Sequence, residues 1–154
     1  MRLYLVQHGQ AKPKELDPGR HLTGKGVRDT EKVAAFLKPL GLSVSAIWHS
    51  GKARAAQTAE LLGAALTATQ GVVQHEGLAP NDPIGPVVET LRSAGGDLMI
   101  VGHLPFLSKL TSALIAGREE ADVVAFQNSG VVCVERGEDA AHKFLWMVTP
   151  ELLP

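Results

Sequence analysis

The sequence predicts a single α/β domain, and three observations carry that expectation. Strand-like and helix-like stretches alternate along the chain. The first strand-like stretch, residues 2–6, is apolar almost without a break, as in a strand covered on both faces. The chain has 154 residues, of which 45% are hydrophobic and 20% charged, which suits one globular domain with a buried core.

The elements follow in order. In the first strand Leu3, Tyr4, Leu5 and Val6 are consecutive. Residues 12–20 are polar and include Pro13 and Pro18, so a loop is expected. Thr23 can cap a helix that runs to about residue 38, with Val27, Val33, Ala34 and Leu37 along one side. Gly41 stands where a C-terminal cap glycine belongs. Residues 44–48 read as a second strand. Residues 52–66 read as an alanine-rich helix with Ala55, Thr58, Ala59 and Leu62 at helical spacing. Residues 71–75 form a third expected strand, and 76–83 a loop interrupted by Pro80 and Pro83. Residues 87–93 read as helix and 97–101 as a fourth strand that ends at Gly102. Pro105 suits the first turn of a helix reaching about residue 116. Residues 123–126, 131–135 and 144–148 read as three late strands.

Charge and cysteine content narrow the functions. Lys plus Arg number 15 and Asp plus Glu 16, a net charge of −1. A nucleic-acid binder gains affinity by releasing counterions from a basic surface, so nucleic acid is not an expected partner. A small local anion site remains compatible with that balance. Cys133 is the only cysteine, which excludes an internal disulfide and a four-cysteine metal site. No stretch approaches the roughly 20 apolar residues of a membrane helix. The short apolar start gives way to His8, Lys12 and Lys14, unlike a secretory signal. The expected location is the cytoplasm, with no membrane partner.

Three short segments share one placement. His8 and Gly9 follow the first strand, Arg54 follows the second near a helix start, and His103 follows the fourth. Ligands of open α/β sheets sit beyond the carboxyl ends of the strands, where helix starts also present N–H groups to anions. Neutral imidazole is a nucleophile near pH 7, and the guanidinium fork matches phosphate oxygens. The combination suits phosphoryl transfer.

Leu5-Val6-Gln7-His8-Gly9-Gln10 resembles the first motif of the histidine phosphatase superfamily. Ser50-x-x-x-Arg54-Ala55-x-Gln57-Thr58-Ala59 resembles the second, and Gly102-His103 the third. Arg20-His21-Leu22-Thr23, Leu78-Ala79-Pro80 and Gly102-His103-Leu104-Pro105 look most like the SixA-type phosphohistidine phosphatases. The resemblance implies a phosphoglycerate mutase-like fold: a three-layer α/β/α sandwich around a mixed, mostly parallel sheet. It implies one domain over residues 1–154 without an inserted helical subdomain, and hence a shallow, open site. It implies that His8 attacks phosphorus to give a covalent phosphohistidine, while Arg54 and His103 bind the phosphoryl group. Gln7, Gly9 and Arg20 are the further candidates for phosphate binding. No metal and no other cofactor is expected. The implied substrate is phosphohistidine on a protein, for example a phosphotransfer domain.

The chain departs from the family pattern in two places. Gln7 stands where the family has an arginine, which keeps a hydrogen-bond donor and loses a charge; Lys12, Lys14 and above all Arg20 are candidates to compensate. No residue clearly matches the family's proton donor, for which Glu76, Asn81 and Asp82 are the candidates. Imidazole is a far weaker base than an alkoxide, so a phosphoramidate can be cleaved without a strong acid. Two alternatives stay open: a phosphatase of a small phosphorylated metabolite, and a non-catalytic module that binds a phosphorylated ligand. His21, His49, His75 and His142 are expected at the surface or in structural roles, Cys133 as an inert buried thiol, and residues 128–130 as a turn that can lie near the site.

Overall fold

A computed structural model describes residues 1–154. The chain runs through β1 (Arg2–Gln7), α1 (Gly24–Leu37), β2 (Ser43–Val44), β3 (Ile47–His49), α2 (Ala53–Gly63), β4 (Thr67–Ala68), β5 (Val72–Gln74), α3 (Gly85–Arg92), β6 (Leu98–Gly102), α4 (Phe106–Ala116), β7 (Val131–Arg136) and β8 (His142–Val148). Six strands form the main sheet in the order β5-β3-β6-β1-β7-β8, and β2 and β4 make a separate pair. The strands β5, β3, β6 and β1 are parallel; β7 and β8 run antiparallel to their neighbours. The fold is a three-layer α/β/α sandwich with a mixed, mostly parallel sheet. No helix is long and apolar enough to cross a membrane.

Alternation along the central strands explains their unbroken apolar character. Leu3 and Leu5 of β1 and Ile100 of β6 pack with Val87, Leu91, Phe106 and Leu110 of α3 and α4. Tyr4 and Val6, with Met99 and Val101, turn the other way onto Val33, Leu37, Ala59 and Leu62 of α1 and α2. Successive side chains on a strand point to opposite faces, so a strand with helices on both sides must be apolar throughout. Each fully buried Val, Leu or Ile contributes about 1.5–3 kcal/mol relative to exposure.

The helix α1 starts where the sequence places it. The Thr23 hydroxyl oxygen accepts from the Gly26 N–H at 2.9 Å, and the Thr23 N–H donates to the Gln10 carbonyl oxygen at 2.9 Å. Gly26 is obligatory here because a Cβ would lie 2.2 Å from that same carbonyl oxygen. The loop after β1 and the start of α1 are thereby locked together. Gly41 takes the left-handed conformation, φ 62°, after the turn that follows α1.

Three expectations need correction. Residues 44–48 are not one strand. Ser43–Val44 pairs with Thr67–Ala68, while Ile47–His49 joins the main sheet; between them Ser45 donates its N–H to the Asp97 carbonyl oxygen. The helix expected over 52–66 ends at Gly63, and residues 64–66 turn the chain into the second ladder, which begins at Thr67. Residues 123–126 form no strand, because β7 already occupies the free side of β1. Phe126 is nevertheless buried against the core, so the apolar run reports burial rather than pairing. The edge strand β8 carries a register irregularity opposite Cys133 and Val134, and Phe144 and Leu145 beside it are exposed.

Leu3 is fully buried and lies at the end of β1 remote from Gln7. Leu3→Ala is expected to lower unfolding free energy by about 2–5 kcal/mol. Urea denaturation with an unchanged m-value checks this; a loss below about 1 kcal/mol would mean that β1 is not the central strand of the core.

Candidate active site

The parallel strands β3, β6 and β1 lie side by side, and residues just past their carboxyl ends share one edge of the sheet. Gln7 pairs with Gly102 and His49 with Val101. The ladder continues one step further, since the His8 N–H donates to the Gly102 carbonyl oxygen at 3.0 Å. His8 and His103 are therefore neighbours, with ring centroids 5.1 Å apart and planes tilted by 52°.

The second tie draws in α2 and its first-turn Arg54. The Gly9 N–H donates to the Thr58 hydroxyl at 2.9 Å, and that hydroxyl donates to the Arg54 carbonyl oxygen at 2.7 Å. Gly9 has a packing reason of its own. A Cβ there would lie 2.9 Å from Ser129 Oγ and 3.0 Å from Thr30 Oγ1. The loop holding Arg20 is braced by Asp17, whose carboxylate accepts from the N–H groups of Gly19 and His21 and from the His21 ring. Those bonds, led by the His21 backbone bond, hold the Asp17 carboxyl down to about 2. Arg20 sits in the left-handed region at φ 50°, and its Nε donates to the Lys12 carbonyl oxygen at 3.2 Å.

The state of His8 follows from one contact. Its Nδ1 lies 2.7 Å from the Gly9 carbonyl oxygen, which can only accept, so Nδ1 carries the proton and Nε2 keeps its lone pair. Burial pushes the His8 imidazolium below the ordinary range, the Gly9 carbonyl opposes this, and Arg54 and Arg20 add to the lowering. His103 is 1% exposed. Burial first, then His8, Arg54, Lys52 and Arg20, push it down to about 3. Burial and Arg20 also lower Arg54. The charged groups that chiefly lower His8, Arg54 and His103 are cationic neighbours.

Three buried polar atoms of this cluster lack hydrogen-bond partners: Gln7 Oε1, Arg54 Nε and His103 Nδ1. A buried group left unpaired costs about 1–3 kcal/mol. A tetrahedral oxyanion would give Arg54 Nε and a protonated His103 nitrogen the acceptors they lack.

The structure thus brings together His8, Arg54 and His103, with Gln7 and Gly9 adjoining His8 in the chain and the charge of Arg20 acting on all three. Of the proton-donor candidates, Glu76 and Asn81 are exposed, and Asp82 accepts from the Ala79 N–H at 2.9 Å within its own loop. Lys12 and Lys14 are exposed. No three His, Cys, Asp or Glu side chains are grouped to hold a metal ion.

Several supporting residues lie outside the expected set. Ser50, which reads in the sequence as a helix cap, shares a 2.6 Å hydrogen bond with His103 Nε2. Asn128 Nδ2 donates to the His8 carbonyl oxygen at 2.9 Å, and the Ser129 N–H to the Gln7 carbonyl oxygen at 2.9 Å. The turn composition of residues 128–130 was their only signal. Lys52 adds positive charge near His103. Two other histidines have structural partners: His49 Nδ1 accepts from the Gly51 N–H, and His75 stacks on Trp48 with centroids 3.9 Å apart.

A family model, the histidine phosphatase superfamily (branch 1), matches residues 3–80. An uncharacterized protein of Picosynechococcus is 36% identical over 125 residues, covering 77% of this chain and 75% of that protein. The phosphohistidine phosphatase SixA of Escherichia coli is 25% identical over 155 residues, covering 97% of this chain and 94% of that protein. The solved structure of the protein histidine phosphatase SixA complexed with tungstate superposes with a TM-score of 0.85 at 24% identity, covering 99% of each chain. The chain has the phosphoglycerate mutase-like fold that these relatives imply.

Because both histidines are lowered, the unfolded chain takes up their protons first as pH falls. Their contribution to stability is therefore intact above about pH 6.5 and is lost as pH falls below it, for His103 down to about pH 3, at most about 1.4 kcal/mol per pH unit for each group. Imidazole NMR titration should find His103 neutral down to about pH 3 in the free protein. A His103 midpoint at the ordinary histidine value would contradict the burial described above.

Proposed function

The chain belongs to the histidine phosphatase superfamily, and we propose that it is a phosphatase that works through a phosphohistidine on His8, with phosphohistidine on a protein as its substrate. The observation that carries the reading is the His8 ring: Nδ1 is tied to the Gly9 carbonyl, and Nε2 is a neutral nucleophile beside Arg54 and His103.

In the first step His8 Nε2 forms a bond to phosphorus as the substrate's P–N bond breaks. The substrate ring, protonated on its second nitrogen, departs as neutral imidazole. The Gly9 carbonyl, already bonded to Nδ1–H, stabilises the positive charge that grows on the His8 ring. In the second step water attacks phosphorus, the P–Nε2 bond breaks, and phosphate leaves. Arg54 holds the equatorial oxygens through both steps. With the Ser50 hydroxyl donating to Nε2 of His103, the proton of that neutral ring sits on Nδ1, the nitrogen without a partner, and is free to donate to a phosphoryl oxygen. An anion beside His103 also opposes the cationic neighbours that lower it. Arg20 is the candidate to replace the charge lost at Gln7.

No sequence position clearly matches the family's proton donor, which supports a phosphoramidate over an ester, because an alkoxide leaving group needs a proton that imidazole does not. A small phosphorylated metabolite is the substrate alternative. The neutral Gln7 favours a second reading, a module that binds a phosphorylated partner without turnover.

One experiment separates these readings. Wild type and His8→Ala are assayed with a phosphohistidine-bearing phosphotransfer domain and with a sugar phosphate, and labelled phosphoenzyme is trapped. Turnover of phosphohistidine by wild type, at least roughly a hundredfold above the ester and abolished in folded His8→Ala, is expected. Turnover retained by His8→Ala would end the covalent role, faster ester hydrolysis would favour the metabolite, and absence of any phosphoenzyme would favour the binding module.

Gln7→Arg restores a charge-assisted contact, which is roughly twice as strong as a neutral one. Severalfold higher kcat/KM or tighter phosphate binding is expected. Unchanged values for both would show that Arg20 or another cation already supplies that charge.

A further inference from the structure

A second cleft lies at the other end of the sheet. The active-site edge begins after Gln7, whereas this cleft adjoins the end of β7, where the Arg136 N–H donates to the Met1 carbonyl oxygen. Five residue steps along β1 separate the two ends, about 17 Å. The cleft measures about 470 Å³, within the range of small-molecule sites.

Its walls differ in character. Val88 and Leu91 of α3 and Ala113 and Leu114 of α4 supply an apolar side. Arg136 and His142, from the paired strands β7 and β8, supply the polar side. Nη1 of Arg136 donates to the carbonyl oxygens of Leu91 and Arg92, and Nη2 to that of Ala94, so the side chain is fixed against the end of α3. Two of its five N–H groups remain, and no carboxylate pairs with its charge. His142 is only 7% exposed, yet neither ring nitrogen makes a well-aligned hydrogen bond, the Ala140 backbone being its one polar backbone neighbour. No other side chain has both ring nitrogens in that condition. Buried polar groups in native proteins are nearly always paired, and an exception asks for a ligand or water.

We propose that this cleft binds a small monocarboxylate with a short apolar tail, its carboxylate held by Arg136 and His142 and its tail against Val88, Leu91, Ala113 and Leu114. A cation would meet the Arg136 guanidinium. An inorganic anion would leave the apolar wall uncovered, and a dianion would face Glu138, which also lines the cleft. The site needs nothing from His8 or Arg54, so it stands or falls apart from the phosphatase reading.

The charges around His142 set a pH dependence. Arg136 from β7 and the Met1 amino group act on it, Arg92 of α3 and Glu138 of the hairpin line the same space, and α4 brings no titratable group to the lining. Burial, then Arg136, holds His142 below the ordinary range against the opposing Ala140 backbone, so it is neutral in the free protein near pH 7. A bound carboxylate favours its cationic form, and binding therefore takes up a proton.

The test is an amide and imidazole NMR titration of the full chain with sodium hexanoate. Saturable shifts at Leu91, Ala113 and His142 are expected, tightening about threefold from pH 8 to pH 6. His142→Phe should weaken hexanoate roughly tenfold, and Ala113→Phe, which fills the cleft from α4, should abolish the shifts. Hexylamine and inorganic phosphate should not reproduce them. The proposal is overturned if wild type gives no saturable shifts there, if hexylamine binds as well, if shifts appear only around His8 and Arg54, or if whichever variants fold bind hexanoate like wild type.

Discussion

The parallel pairing of β1 with β6 sets Gln7 opposite Gly102, and the His8 N–H extends the same ladder to the Gly102 carbonyl oxygen. Everything at the site hangs from that register. A slip of one residue would carry His8 about 3.3 Å along the sheet and reverse which face each β1 side chain meets. It would push Tyr4 and Val6 into the packing around Phe106 and Leu110, and Leu3 and Leu5 into that around Leu37 and Leu62. The cores on the two faces therefore fix the distance between the imidazoles as surely as any contact made by the rings themselves.

Much of this was readable in the amino-acid order because it is governed by local chemistry. Four consecutive apolar residues in β1, a threonine cap at residue 23 and a glycine at 41 each report a short-range requirement. His8, Arg54 and His103 were legible as residues following strands, and a parallel sheet then gathers them. Pairing was less legible. Residues 123–126 have the composition of a strand, but a strand also needs a free edge, and composition carries no record of which edges are taken. The split at 45–46 has the same origin, since it depends on Asp97 and Gln70 offering partners to Ser45. Asn128 and Ser129 were visible only as a turn, because their hydrogen bonds to residues 7 and 8 span the whole fold. The packing of Gly9 against Ser129 and Thr30 behind the loop was not legible, because those residues are distant in the chain.

Electrostatics at the site run against the ordinary tendency of histidine to gain a proton near cell pH. Burial and the guanidinium groups act in the same direction on His8 and His103, and only the Gly9 carbonyl opposes them at His8. Positive charge is thus carried by arginine, which does not titrate, while imidazole is kept in the form that can share a lone pair. Aspartate enters only at a distance, where Asp17 shapes the loop that presents Arg20.

The irregular step in β8 has a bearing on how the molecule lives among copies of itself. An edge strand with exposed Phe144 and Leu145 is the kind of template on which neighbouring chains stack. The additional residue opposite Cys133 and Val134 breaks the even spacing of donors and acceptors and increases the local twist. Edge-to-edge stacking at this margin is thus opposed by backbone shape together with the exposed Lys143 of the same strand.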